Sequence, residues 1–200
     1  MLSNLSLSQF KSLNLSLLKD NMKSFARFIL FTILGWKFVG EFPRYIKKYV
    51  VIAAPHTSWV DFPIAILSRM ASGLMVNFIG KNSLFNGPFG FFFRGLGGTP
   101  VDRSKSTNLV DAIVDIFNDK EEFRLGLSPE GTRKKVDKWK TGFYYIAKGA
   151  NVPIVMATLD FENKQIKFSE PYYVTENKEA DFAFFESFFF NVKGKNPELS

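Results

Sequence analysis

Short apolar runs alternate with helix-like stretches over residues 49–190 of this 200-residue chain, and that alternation limits its fold more than any other feature. The runs at 49–54, 74–79, 123–128, 153–159 and 165–168 are strand-length and bounded by Gly, Pro or polar residues. Residues 61–71, 108–117, 141–148 and 178–190 carry apolar side chains at helical spacing. Strands that read as nearly continuous apolar runs are covered on both faces. The expectation is an α/β fold, a single domain with a largely buried mixed sheet flanked by helices. Polar chemistry then falls in the turns at 55–61, 95–103 and 128–133, near strand or helix ends.

Composition narrows the chemistry. There is no Cys, which excludes disulfides, thiolate nucleophiles and cysteine metal sites, and a single His argues against a zinc hydrolase. The acidic residues lack the spacing of a carboxylate-rich metal site. A formal charge of +7 favours anionic partners. Nucleic acid is not supported, because no RNP-like aromatic motif, zinc spacing or helix-turn-helix pattern is present. Basic residues interleaved with Phe suit an anionic lipid surface better.

The amino-terminal end divides in two. Residues 1–21 are a Leu/Ser/Asn-rich, low-complexity extension, and residues 22–42 read as an amphipathic interfacial helix. Its centre, F-A-R-F-I-L-F-T-I-L-G-W-K-F-V at 25–39, is broken by Arg27 and Lys37, too soon for the roughly 20 apolar residues of a membrane crossing. Apolar side chains would enter the headgroup layer while Lys23, Arg27 and Lys37 meet anionic lipid. The same stretch also suits a core helix. Residues 43–200 form the folded domain, with the Phe-rich tail at 182–190 read as core.

Three turns carry candidate chemistry. His56, the only histidine, precedes Asp61 by five positions in A-A-P-H-T-S-W-V-D. Five residues apart on one helix, two side chains point about 140° apart. The pair meets only if His56 lies in a turn and Asp61 in the first turn of the next helix, with Thr57 and Ser58 as natural N-caps. The carboxylate then accepts from one imidazole nitrogen and raises the basicity of the other. In S-P-E-G-T-R, Glu130, Gly131, Thr132 and Arg133 suit an oxyanion or a polyol. In G-G-T-P-V-D-R, Arg103 is a second arginine beside a Gly-containing turn. Each turn alone is equally an ordinary solvated turn.

Taken in order, these motifs resemble those of the glycerolipid acyltransferase family, which includes the 1-acyl-glycerol-3-phosphate acyltransferases. The family's H-x-x-x-x-D block is matched at 56–61, its G-x-x-x-x-D/E-R block at 97–103, its F-P-E-G-T-R block at 128–133 and its V-P-I-V strand at 152–155. K-N-S-L-F and G-P-F-G, at 81–85 and 87–90, are similar to the stretch between its first two blocks. Pro55 stands where the family often carries Asn, and Ser128 where it carries Phe, as in a short bacterial branch.

The resemblance implies acyl transfer from acyl-CoA or acyl-ACP to a lysophospholipid hydroxyl, with 1-acyl-glycerol-3-phosphate giving phosphatidic acid. A different hydroxyl acceptor, or a non-catalytic lipid-binding role, stays open. His56 would be the base and Asp61 its orienting partner. Arg103 and Arg133 would hold the acceptor's phosphate, with Glu130, Gly131 and Thr132 at its glycerol end. Backbone N–H groups opening the helix after His56 would stabilise the oxyanion. No metal or cofactor is implied. The expected place is the cytoplasmic face of the membrane, peripheral or monotopic, docked through residues 25–39 and F-G-F-F-F at 89–93.

Overall fold

The computed structural model describes residues 7–101 and 109–199, the side chains of 7–12 and 15 excepted. The chain opens with helix α1 (Leu7–Arg27), which runs on through a wider π-helical turn at Phe28–Ile33. Helical structure therefore begins inside the Leu/Ser-rich segment. It ends before residue 39, because Gly35 turns at positive φ and Lys37–Val39 becomes strand β1. The remaining elements are β2 (Lys48–Ala54), α2 (Asp61–Ser72), β3 (Phe78–Lys81), α3 (Asn82–Asn86), α4 (Gly90–Gly95), β4 (Gly98–Val101), α5 (Leu109–Asp119), β5 (Phe123–Leu127), α6 (Gly142–Ala150), β6 (Ile154–Thr158), β7 (Gln165–Lys167) and α7 (Lys178–Phe189).

At the centre β2 lies between β5 and β6, all parallel. Single bridges extend this sheet: Asn77 joins Leu125 on one side, and Phe168 pairs antiparallel with Ala157 on the other. The first bridge leads to the parallel β3–β4 pair and the second to the parallel β1–β7 pair, so the sheet is mixed. Pairing with β3 makes residues 98–101 a strand and not the turn expected there.

β2 shows why the sheet is buried on both faces. Val50, Ile52 and Ala54 pack into one cluster with α5, α6 and α7 residues such as Ile113, Tyr144 and Phe185. Tyr49 and Val51 face the other cluster, which holds Ala26, Leu30 and Ile64 from the helices at the amino terminus and α2. Ile52 is fully buried, and its truncation to Ala would cost about 2–5 kcal/mol. In the aromatic tail Phe185 and Phe189 are buried while Phe184 and Phe190 are exposed. Among the described residues no helix is long and apolar enough to cross a membrane.

The two faces differ near the carboxyl ends of the strands. Towards α5–α7 the strands present Ile52, Leu125 and Met156. Towards α2 they present Ala53, Gly126 and Ala157, and α2 answers with Ala65 and Ser68. Small side chains on both walls leave a cavity of about 250 Å³ between helix and sheet.

Candidate active site

His56 stands two residues beyond the end of β2, and residues 128–133 follow β5, the neighbouring parallel strand. Both loops therefore meet at the carboxyl edge of the sheet, where α/β folds collect their ligands. Asp61 opens α2, as the five-residue spacing requires, and His56 Nδ1 lies 2.9 Å from Asp61 Oδ2. The same oxygen accepts the Thr57 and Ser58 N–H groups, each at 2.9 Å. Neither hydroxyl caps α2 as expected. Ser58 Oγ accepts the Val60 N–H, and the Asp61 carboxylate reaches back to tie down the turn before the helix. Those two N–H groups are thereby committed to Asp61.

Burial separates the partners. The Asp61 side chain is 2% exposed and the His56 side chain 30%, so the carboxylate is sealed from bulk solvent while the ring borders it, and both line the cavity. Asp61 Oδ1 is buried without a hydrogen-bond partner among the described residues. A carboxylate accepting from Nδ1–H leaves Nε2 as the acceptor nitrogen of the ring.

Glu130 joins the pair from the second loop. Its Oε2 accepts the His56 N–H at 2.7 Å and the Ser128 hydroxyl at 3.2 Å. Burial pushes the Glu130 carboxyl above its ordinary range, opposed by those two donors. Gly131 turns at φ 64°, which lets the chain fold back beside Lys140. Thr132 is half-buried and its hydroxyl accepts the Lys134 N–H, whereas Arg133 is exposed and forms no ion pair among the described residues. The structure thus brings His56, Asp61 and Glu130 together and leaves Arg133 exposed and outside the cavity lining. Arg103 lies outside the described residues.

The cavity starts at His56, Asp61 and Ser128 and follows α2 past Phe62, Ala65 and Ile66 to Arg69. At about 1.5 Å per helical residue, Arg69 lies about 12 Å along α2 from Asp61. Phe42 and Phe168, with ring centroids 3.9 Å apart, also line it. Arg69 donates to the Leu96 carbonyl at 2.6 Å, and burial lowers the pKa of its guanidinium. Sequence reasoning missed this lining, although Asp61, Ala65 and Arg69 repeat at helical spacing on one face of α2. The arrangement joins a base-competent imidazole to a narrow apolar slot. Among the described residues no group of three His, Asp or Glu could hold a metal.

The protein-family model for Acyltransferase matches residues 37–159, a stretch that includes His56, Asp61 and Glu130. The chain belongs to the acyltransferase family. This acyltransferase is similar in structure to the 1-acyl-sn-glycerophosphate (LPA) acyltransferase PlsC from Thermotoga maritima. The TM-score is 0.56 at 22% identity, covering 85% of this chain and 76% of that one, a likeness of fold. Among curated proteins none matches the enzyme in sequence.

Proposed function

We propose that the enzyme transfers a fatty acyl group from acyl-CoA or acyl-ACP to the hydroxyl of 1-acyl-glycerol-3-phosphate, giving phosphatidic acid. His56 takes the hydroxyl proton at Nε2 as the oxygen attacks the thioester carbonyl carbon. The C–S bond breaks, and the proton passes to the departing sulfur. Asp61 holds the ring and stabilises the transient imidazolium. The observation that carries this reading is the buried Asp61 carboxylate on His56 Nδ1 beside an apolar slot. The slot has room for an acyl chain, and Arg133, without an ion pair among the described residues, is a cation for the acceptor's phosphate. Holding both reactants removes much of the entropic barrier of a bimolecular reaction.

Docking on an anionic membrane completes the proposal. Phe25, Phe28 and Ile33 are exposed around Arg27 at the end of the first helix, and Phe89, Phe91 and Phe92 are exposed beside Arg94. Exposed aromatics beside cations suit the headgroup layer, where the acceptor resides.

The deciding experiment offers one labelled acyl-CoA to a panel of lysolipids and other hydroxyl compounds. Turnover of 1-acyl-glycerol-3-phosphate above the rest, abolished in a folded His56→Ala chain, is the expected result. Preference for another acceptor replaces the lysophosphatidic acid assignment. Activity surviving in His56→Ala removes the mechanism, since no second histidine exists to substitute.

A further inference from the structure

The turn that bears His56 is gripped by a segment from the far end of the chain. Beyond α7 the backbone returns across the molecule, where the Phe161 N–H donates to the Lys193 carbonyl at 2.9 Å and Lys193 pairs with Glu162 at 2.7 Å. Three residues later it reaches Thr57, which is 2% exposed. The Asn196 N–H donates to Thr57 Oγ1 at 3.1 Å, and Asn196 Nδ2 donates to the Thr57 carbonyl at 3.0 Å. Gly194 makes the approach possible: a Cβ there would stand 2.4 Å from Thr57 Oγ1 and 2.7 Å from its Cγ2.

We propose that Asn196 is a positioning residue for catalysis, holding the His56 turn in register with Asp61 through Thr57. Thr57 lies between the two catalytic groups in the hydrogen-bond network. Its N–H is spent on Asp61 Oδ2, and its carbonyl and hydroxyl are spent on Asn196. On the other side, the His56 N–H is fixed by Glu130. The imidazole is thus carried on a peptide segment clamped at both ends, by β5's loop and by the carboxyl-terminal strap. Release of one clamp lets the segment rotate and lengthens the Nδ1–Asp61 contact. Displacements of about 1 Å at a reacting group cost up to roughly 100-fold in rate.

This inference rests on the proposed role of His56, so its test includes a readout independent of turnover. With histidine labelled in nitrogen-15, the single imidazole gives one pair of nitrogen signals. At about pH 8 the intact chain should show the Nδ1-protonated tautomer with a downfield Hδ1 proton. Two variants each remove one strap bond: Asn196→Ala deletes the Nδ2 donor, and Thr57→Val deletes the hydroxyl acceptor. Each should lower kcat by roughly 10- to 100-fold with KM for both substrates nearly constant, and average the tautomer signals. Thr57→Ser keeps the acceptor and should restore both readouts.

A lower melting temperature with unchanged kcat and unchanged His56 signals would make the strap merely structural and overturn the proposal. If Asn196→Ala does not fold, the contrast of Thr57→Ser with Thr57→Val decides the point. If the intact chain turns over no acceptor, the functional reading fails, while the imidazole spectra still decide the strap.

Discussion

Asp61→Asn isolates what the buried charge contributes, because an amide oxygen can keep all three donors that Oδ2 now receives. What it removes is the negative charge 2.9 Å from the imidazole. At an effective dielectric of about 20, a charge pair at that distance is worth about 6 kcal/mol, or roughly four decades in rate. Partial exposure of the ring screens some of this, so kcat should fall by roughly 100- to 10,000-fold. KM should hardly move, since the Asp61 charge acts through the ring and the loss falls on the transition state. A second consequence concerns stability. The new amide nitrogen would take the place of Oδ1, which has no hydrogen-bond partner among the described residues. An unpaired buried donor costs about 1–3 kcal/mol, so the melting temperature should fall while the chain stays folded. The assay follows free thiol released from acyl-CoA with a thiol reagent, and a chain without cysteine contributes no background. A folded Asp61→Asn enzyme within about threefold of the original kcat would refute charge stabilisation of the imidazolium by Asp61.

Arg133→Ala should raise the acceptor KM by roughly 10- to 100-fold with kcat preserved, the usual loss for a charge-assisted bond; an unchanged KM argues against phosphate binding there. For Glu130 the carboxyl pKa is raised by burial, so its contribution to stability is full below the ordinary value of 4.5 and is lost as pH rises through the folded value. Glu130→Gln should therefore flatten the stability profile over that window, and an unaltered slope in chemical denaturation refutes the assignment. Making Phe28 and Phe91 polar should weaken sedimentation with anionic vesicles by roughly tenfold per residue, given the free energy of burying an aromatic side chain; undiminished binding places the docking surface elsewhere.

The sequence by itself determined the alternation of elements and the position of the turns. β2, β5 and β6 lie within one residue or so of the expected runs, because strands buried on both faces must read as apolar stretches. It also determined that His56 and Asp61 could meet only across a turn-to-helix junction, since helical geometry forbids the contact otherwise. Strand β4 was not legible, because Gly98 and Pro100 are turn-forming residues whose strand conformation comes from pairing with β3. The helix at the amino terminus was misjudged at both ends for a related reason: polar Ser and Asn hide a helical run, and the apolar pattern continues past Gly35 into a strand.

Only the tertiary structure decided the environment of the site. Ala53, Gly126 and Ala157 are unremarkable small residues until three neighbouring strands turn them to one face opposite α2, where their missing volume becomes a slot. Glu130 reads as a ligand-binding carboxylate in its loop, yet the neighbouring strand brings the His56 N–H to it. Asn196 carries no local signal at all, since its partner is 139 residues away. Local chemistry is written in spacing along the chain, whereas cavities and clamps depend on which distant segments the sheet brings into contact.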